Sequence, residues 1–421
     1  MKILIVIPAL GAVYGGPSRS TIELAQALSN LGISIDIVTT NANGSTKLDV
    51  PLHIWISEQS YRIQYFPYWT SFDYKFSLSI TQWLFQHVAD YDLVHTNAIF
   101  SYPVLPAYWA CQWHRIPYIV TPHGMLEPWA LSYKARKKGF YYFLLEKPAL
   151  ERANAIQLLA SSEAERVKAL NLKAPLVIVP NGIHRHDFET LPDPELFYQT
   201  FPNTRNKQLI LFLGRVDPKK GLDLLAVAFA QVHTQFPQTH LIIAGPDNIG
   251  FLPTAKNYFA EAGCLEAVTF TGMLTGTLKY SALAAASLYI APSYSEGFSM
   301  SVLEGMASGL PCVITTGCNF PEAAAAQAAR VVNIDADAIT LALMQCLSNP
   351  QQAKQMGQSA RQLIFEQYTW EHIATKMMEV YTAITKEDKG DKENKGDKED
   401  STETKKNICK NSMFLLKINP T

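Results

Sequence analysis

Short apolar segments alternate with amphipathic segments along most of this chain, in two separate series. Short buried strands separated by helices are typical of parallel βαβ units. The pattern therefore predicts an α/β protein with two Rossmann-like, doubly wound domains facing a central cleft. The predicted strands are 3–7, 33–39, 92–95, 118–121, 155–159 and 176–179 in the first series, and 209–213, 240–244, 268–271, 288–291 and 312–315 in the second.

The segments outside the two series set the expected domain limits. The break between them is rich in proline, aspartate and asparagine, which favours a linker. A charged near-repeat at 389–400 has no apolar side chain to bury, which predicts disorder after the last amphipathic helix. The expected parts are a first domain at 1–183, a linker at 184–207, a second domain at 208–365, a helix at 366–385 and a disordered tail at 386–421.

Composition excludes several classes of protein. The 421 residues are 48% hydrophobic with a net charge of −1 at pH 7, which is typical of a soluble globular protein and not of a nucleic-acid binder. The six cysteines have no metal-ligand spacing and are expected to be free thiols in a reducing cytoplasm. The cysteine pattern thus favours a cytoplasmic protein. No apolar run approaches the roughly 18 residues needed to cross a membrane, so no membrane span is expected.

Two glutamates with seven residues between them stand near a predicted strand-to-helix junction. The run 287–291 predicts a buried strand and 299–308 a helix, so Glu296 falls at the junction. Gly297 lets the backbone approach a ligand, and the first helical amides offer donors and partial positive charge. Glu304 lies about 150° from the apolar stripe of the helix and is expected to face water or a cleft. The alternative is that both glutamates are ordinary solvated residues.

Three other loops follow predicted strands and carry residues suited to a ligand. The loop 214–221 holds Arg215 and two lysines between glycines, which suits a diphosphate unless the loop is simply solvated. His123 follows the strand at 118–121, either as a ligand-binding group or as a hydrogen-bonded loop residue. Gly16, between the first strand and the first helix, either admits a ligand or only shapes the turn.

Two aspartates, Asp335 and Asp337, have two interpretations. An Asp-x-Asp pair can hold a divalent metal on a bound nucleotide. Asp335, however, directly precedes the amphipathic segment 338–347, where an aspartate is the usual helix N-cap. We therefore expect capping, and no metal site.

Two of these segments resemble family 4 retaining glycosyltransferases. Residues 292–311 resemble that family's nucleotide-sugar site, roughly P-S-x-x-E-G-F-x-x-x-x-L-E-A-M-A-x-G-x-P, and only Gly305 departs, replacing alanine. The loop 214–221 resembles the family's G-R-x-x-x-x-K-G. The family usually has an aspartate where this chain has His184. The resemblance implies the GT-B fold, with the helix at 366–385 returning to the first domain.

The resemblance also implies a role for each site residue. Glu304 is expected to hold the ribose hydroxyls and Glu296 the sugar hydroxyls, while Lys219 is expected to be a bystander. The implied catalytic residues are Glu296 and His123, and the implied donor-binding residues are Gly16, Arg215, Lys220, Gly297, Phe298, Ser299 and Glu304.

The implied activity is that of a retaining hexosyltransferase of the bacterial polysaccharide-biosynthesis type. Such an enzyme moves a sugar from a nucleotide-diphosphate donor to a hydroxyl of a saccharide or lipid-linked saccharide, in polysaccharide or glycolipid assembly. The nucleotide sugar is a substrate, and no cofactor is expected. The alternatives are an epimerase or phosphorylase with the GT-B fold, or a non-catalytic sugar-binding partner subunit.

Two surface features of the first domain are left open. Aromatic side chains crowd residues 55–74, where they either stack an acceptor sugar or pack within a loop. Cations at 134–138 precede an aromatic and aliphatic run at 140–145, which suits peripheral contact with the inner face of an anionic membrane. The alternative is that Phe140, Phe143 and Leu144 pack into the domain.

Overall fold

The computed structural model describes residues 1–69, 74–126, 139 and 141–393. They form two compact units. The first is Met1–Pro180 with the described residues from Ile373 onward, and the second is Asn181–His372. Each unit contains its own parallel sheet, as predicted. None of the helices within these described ranges is long and apolar enough to span a membrane.

The first unit contains the strands β1 (Lys2–Ala9), β2 (Ser34–Thr40), β3 (Ala42–Asn43), β4 (Thr46–Lys47), β5 (Trp55–Ser57), β6 (Arg62–Phe66), β7 (Leu93–Asn97), β8 (Tyr118–Thr121), β9 (Ala155–Leu158) and β10 (Leu176–Ile178). Eight of them form a sheet in the order β10-β9-β8-β7-β1-β2-β6-β5. Neighbouring strands in this sheet are parallel except for β5, which pairs antiparallel with β6 at the edge. The short β3 and β4 pair with each other.

Burial on both faces explains the central strands of this sheet. In β1 every residue after Lys2 is buried, because helices cover both faces of a parallel sheet and favour a continuous apolar run. Among the described residues before position 181, the α-helices are α1 (Gly16–Asn30), α2 (Leu78–His87), α3 (Val104–His114), α4 (Lys147–Arg152) and α5 (Ser161–Lys168), with a π-helical turn at Tyr142–Glu146.

The second unit contains the strands β11 (Gln208–Leu213), β12 (Thr239–Ala244), β13 (Val268–Gly272), β14 (Leu288–Ala291), β15 (Cys312–Thr315) and β16 (Arg330–Val332). They form one parallel sheet in the order β13-β12-β11-β14-β15-β16. The order of the strands reverses between β11 and β14. Ligands of open α/β sheets bind at such a reversal, beyond the carboxyl ends of the strands.

The predicted linker at 184–207 is instead a folded part of the second unit. It forms two short helices, and its Phe188 and Phe197 are fully buried. Its proline, aspartate and asparagine residues flank these helices, so the composition marked turns and not a flexible link. The helices of this unit are α6 (His186–Glu189), α7 (Glu195–Thr200), α8 (Leu222–Gln235), α9 (Leu252–Glu261), α10 (Gly276–Ala285), α11 (Met300–Ala307), α12 (Pro321–Ala325), α13 (Ala336–Ser348) and α14 (Pro350–Gln367).

The last helix, α15 (Trp370–Glu393), begins and ends later than predicted. Residues 366–367 still belong to α14, and the predicted tail at 386–421 is helical as far as Glu393. Ile373, Met377 and Tyr381 are fully buried and anchor the helix, which then propagates through charged residues of adequate helix propensity. The rest of the predicted disordered tail, residues 394–421, lies outside the described residues.

Candidate functional site

Two of the predicted loops meet in the second unit, where the order of its strands reverses. The loop 214–221 follows β11, and the segment 292–299 follows the neighbouring β14. The backbone N–H of Tyr294 donates to the carbonyl oxygen of Lys219 at 2.8 Å. Gly221 has a φ of 69°, and a Cβ at this position would lie 2.0 Å from the carbonyl oxygen of Pro292. Only glycine permits this approach.

Glu296 is held at this junction by its side chain and by its backbone. It is buried, with 8% of its surface exposed. Its Oε1 accepts from Nζ of Lys220 and, at 2.8 Å, from the hydroxyl of Ser293. Its backbone N–H donates to the carbonyl oxygen of Gly317 at 2.8 Å, and its carbonyl oxygen accepts from the side-chain amide of Asn319. The carboxylate therefore has a fixed position and direction.

The charges around Glu296 favour its ionised form. Burial alone would raise its pKa, but Lys220 and Lys219 outweigh burial and hold the pKa of Glu296 below its ordinary value. Burial lowers the pKa of Lys219; Glu296 opposes this effect, whereas Lys220 and Arg215 add to it. Lys219, expected to be a bystander, is thus a half-buried member of one group of charges with Arg215, Lys220 and Glu296.

Glu304 is buried, so the alternative in which it is an ordinary solvated residue is wrong. It is 4% exposed, and its Oε1 accepts from Nζ of Lys279 at 2.7 Å. Lys279 lies on α10, so this ion pair joins α10 to α11. A buried carboxylate needs such a partner, because an unpaired charge in the interior is costly. The hydrophobic pattern marked this face as polar, but it did not show that a lysine 25 positions away pairs with Glu304.

The start of α11 is not capped by the side chain of its N-cap residue. Ser299 is its N-cap residue, and its hydroxyl does not cap the helix but lies 3.1 Å from the hydroxyl of Ser301. The ring of Phe298 stacks against Tyr368, with centroids 5.8 Å apart, and contacts Phe320 edge-on. The side chain of Phe298 therefore belongs to the core. The expected approach of the amides of Gly297, Phe298 and Ser299 to a ligand stays a prediction.

Gly305, the one departure within 292–311, has a steric cause. A Cβ at this position would lie 2.6 Å from Cγ of Tyr289. Tyr289 is fully buried, and its hydroxyl donates to Ser301 at 2.9 Å. The tyrosine ring occupies the space that the methyl group of an alanine would need, so glycine fits at this position.

Asp335 caps α13, as predicted. Its carboxylate accepts from the backbone N–H of Ala338 at 2.9 Å. Within the part of the chain that the structure describes, no three His, Cys, Asp or Glu side chains are grouped to hold a metal. Five of the six cysteines lie in the described ranges, and all five are free and buried: Cys111, Cys264, Cys312, Cys318 and Cys346.

His123 lies in the first unit, directly after β8 and Pro122. Its Nε2 is 2.8 Å from Oδ1 of Asn97, at the end of the neighbouring β7. A carboxamide oxygen can only accept, so Nε2 carries the proton and donates, while Nδ1 is left as an acceptor. Burial lowers the pKa of His123 to about 4, so the ring is neutral near pH 7.

His95 is a structural residue. It is fully buried, with Nδ1 2.6 Å from the hydroxyl of Tyr381 and Nε2 2.6 Å from the hydroxyl of Thr121. Burial, together with His123, lowers its pKa to about 3. Because both ring nitrogens have partners, His95 anchors α15 to the sheet of the first unit and has no nitrogen left for a ligand.

Gly16 is the first residue of α1. Its N-cap Gly15 has a φ of 71°, so Gly15 and not Gly16 is the glycine that the backbone requires. A Cβ added at Gly16 would meet nothing within 4 Å. The turn geometry does not explain Gly16, and its expected contact with a ligand stays a prediction.

The aromatic side chains of the segment at 55–74 differ in their burial. Tyr61, Phe66 and Tyr68 are buried, whereas Trp69 is 62% exposed. Phe72 lies outside the described residues. Most of the described rings therefore pack within the unit, and Trp69 is the ring most available to another molecule.

Five side chains that the sequence analysis did not single out contact the predicted residues or their loops. Only Ser293 had a local signal, because it stands within 292–311. The others are separated from their partners along the chain, and each is brought to its partner by the fold of its own unit. These residues are Asn97, Glu163, Lys279, Ser293 and Asn319.

Comparisons with known proteins match both units. Glycosyltransferase Family 4 matches residues 14–186, and Glycosyl transferases group 1 matches residues 197–363. A D-inositol 3-phosphate glycosyltransferase of Gordonia bronchialis is 28% identical over 54% of this chain and 52% of its own length. A phosphatidyl-myo-inositol mannosyltransferase of Mycolicibacterium smegmatis is 25% identical over 91% of this chain and 94% of its own length.

The fold has a close counterpart among solved structures. The structure of HepE from Anabaena in complex with UDP and glucose superposes with a TM-score of 0.73 at 17% identity, over 91% of this chain and 100% of that one. At this identity the likeness supports the fold alone. With the two family matches, it leads to one conclusion: this chain belongs to the family 4, group 1 glycosyltransferases, and is a hexosyltransferase-type enzyme with the GT-B fold.

Proposed function

We propose that this enzyme is a retaining glycosyltransferase that moves a hexose from a nucleotide-diphosphate donor to an acceptor hydroxyl in polysaccharide or glycolipid assembly. The observation that carries the proposal is the buried carboxylate of Glu296, ion-paired with Lys220 at the reversal of strand order. Arg215 belongs to the same group of charges. Parallel sheets bind ligands at this position, and clustered cations suit a diphosphate.

In the proposed reaction, the two cations and the carboxylate stabilise opposite charges that develop in the transition state. When the bond between the anomeric carbon and the leaving phosphate breaks, negative charge grows on the diphosphate and positive charge on the sugar ring. Arg215 and Lys220 stabilise the first, and Glu296 stabilises the second. The acceptor oxygen bonds to the same face of the anomeric carbon, and its proton passes to the departing phosphate. This route retains the configuration without an enzymic nucleophile.

Further residues are assigned to the donor in this proposal. Glu304 accepts from the ribose hydroxyls, and its ion pair with Lys279 orients it. The amides at the start of α11 approach the diphosphate, because a helix N-terminus favours an anion. His123 accepts from a hydroxyl of the transferred sugar through Nδ1. A neutral imidazole suits this role, because it adds no positive charge near the developing oxocarbenium ion.

Thermal shift with a panel of nucleotide sugars tests the proposal. A relative is a mannosyltransferase and HepE was solved with UDP and glucose, so the panel includes GDP-mannose and UDP-glucose beside ADP- and dTDP-linked sugars. One donor should raise the Tm of the full chain, since a ligand at about 100 times its Kd stabilises by roughly 2.7 kcal/mol. That donor should then be consumed in a transfer assay, and EDTA should leave the rate unchanged.

Two results would contradict the proposal. One is a Tm that no nucleotide sugar changes, while the protein is shown by calorimetry to be folded. The other is a transfer rate abolished by EDTA and restored by Mn²⁺, which would show that the reaction depends on a metal ion.

We also propose peripheral contact of the first unit with an anionic membrane. Phe143 is 68% exposed and Leu144 is 53% exposed, so the alternative in which these two side chains pack into the domain is wrong. Lys147 lies beside them, with Nζ 5.9 Å from the ring centroid of Phe143. Phe140 and the cations at 134–138 lie outside the described residues; in the sequence, those cations precede this apolar pair.

Sedimentation with anionic vesicles tests this contact. The full chain should sediment with phosphatidylglycerol vesicles at low salt and be released at high salt, because each basic residue near the surface adds about 1 kcal/mol that salt screens. The double variant Phe143→Ser, Leu144→Ser should sediment less. Leu341, which is 59% exposed in the second unit, provides the matched control Leu341→Ser. Sedimentation that is absent in the wild type, or equal in all three proteins, would refute the contact.

A further inference from the structure

Glu163 is a fully buried carboxylate that the proposed reaction does not use. It lies on α5 with 0% of its surface exposed. Its two oxygens accept from two backbone N–H groups: Oε1 from Gly124 at 3.1 Å and Oε2 from Leu159 at 2.8 Å. Gly124 lies in the loop after β8, and Leu159 directly follows β9. One side chain therefore joins the loops beyond two neighbouring strands.

The turn that Glu163 holds has an unusual backbone. His123 has a φ of 51° and Gly124 a φ of 75°. This left-handed region is open to glycine but strained for a residue with a Cβ, so the surroundings must hold His123 in it. Within the turn, the N–H of Met125 donates to the carbonyl oxygen of Pro122 at 3.1 Å. Glu163 adds a second restraint from outside the turn.

The imidazole ring is restrained separately from its backbone. Asn97, which is 3% exposed, accepts from Nε2 of His123. Asn97 fixes the rotation of the ring, whereas Glu163 fixes the backbone that carries it. Together they determine where Nδ1 points, so neither restraint alone is sufficient.

We infer that Glu163 is a positioning residue: it holds the 123–124 turn in its left-handed conformation and thereby aims Nδ1 of His123. That this nitrogen meets the transferred sugar rests on the proposed function. The restraint of the turn does not rest on the proposed function, and it is measurable without any substrate. A carboxylate is suited to this task because both of its oxygens accept, whereas an amide has only one accepting oxygen.

The variant Glu163→Gln in the full chain tests the inference. Glutamine keeps the size of the side chain and one accepting oxygen, but its NH₂ group meets the second backbone N–H. We expect kcat to fall by about tenfold or more, because small misplacements of a contacting group are costly, while Kd for the nucleoside diphosphate stays within about twofold. In ¹⁵N-edited NMR, the ring signals of His123, assigned with His123→Gln, should shift. Those of His184 in the other unit should not.

Asp36 provides a matched control for lost stability. It is a buried carboxylate of the same sheet, bound to Arg62 at 2.8 and 2.6 Å and to Tyr91 at 2.9 Å, on β2 and away from β8. Asp36→Asn should lower Tm at least as much as Glu163→Gln, yet leave kcat and the His123 signals unchanged. Unchanged His123 signals in Glu163→Gln, or an equal fall of kcat in Asp36→Asn, would overturn the inference. A wild type without transferase activity would refute the proposed function, and the NMR result would still decide the restraint.

Discussion

Replacement of Glu296 by glutamine should lower kcat by on the order of 10² or more, with little change in the Kd of the donor nucleotide. Glutamine keeps the shape of the side chain but removes the negative charge that faces the developing positive charge of the sugar. It also releases Lys220, whose charge then acts fully on the diphosphate, so nucleotide binding should not weaken. Steady-state kinetics with calorimetric titration of the nucleoside diphosphate separates the two effects.

The neighbouring Ser293 provides a graded comparison. Ser293→Ala removes one hydrogen bond to the carboxylate but keeps its charge, so kcat should fall by less than in Glu296→Gln. Asp335→Asn alters a carboxylate at a helix N-terminus elsewhere in the same unit and should leave kcat unchanged. A normal kcat in Glu296→Gln would remove the catalytic role of this residue.

The second large effect concerns the cations. Arg215→Ala and Lys220→Ala should each weaken binding of the nucleoside diphosphate by roughly 2–4 kcal/mol, because each removes a charge from the diphosphate. Lys220→Ala also leaves the buried Glu296 without its ion-pair partner, so it should lower kcat further and raise the pKa of Glu296. Isothermal calorimetry measures the weaker binding, and its repetition at a second pH value detects the raised pKa of Glu296.

Lys219 is the matched control for this experiment. It is half-buried in the same group of charges, but only Lys220 of the two lysines forms an ion pair with Glu296 among the described contacts. Lys219→Ala should therefore weaken nucleotide binding less than Lys220→Ala does. A larger loss at Lys219 would show that the wrong lysine has been assigned to the diphosphate.

The central architecture was predictable because buried parallel strands are continuous apolar runs. The strands that the pattern missed lie at or near the edges of the sheets. Trp55–Ser57 and Arg62–Phe66 are mixed in polarity, and Arg330–Val332 has only three residues. Edge strands need no continuous apolar run, because solvent or one neighbour covers part of them.

The candidate site was predictable where its residues are neighbours in the chain. The spacing of Glu296 and Glu304 and the loop at 214–221 are local patterns. Their partners are not local: Lys279 and Glu304 are separated by 25 positions, and Gly124 and Glu163 by 39. Only the order of the strands brings such residues together. A single sequence therefore predicted candidate site residues but not the side chains that contact them.

Proton NMR of the transfer product tests the central claim most directly. With the donor identified by thermal shift, the new glycosidic bond should show the same anomeric configuration as the donor, and the nucleoside diphosphate should appear at an equal rate. Glu296→Gln should form neither product at a comparable rate while still binding the nucleotide. An inverted anomeric signal, or release of free sugar without transfer, would contradict the account.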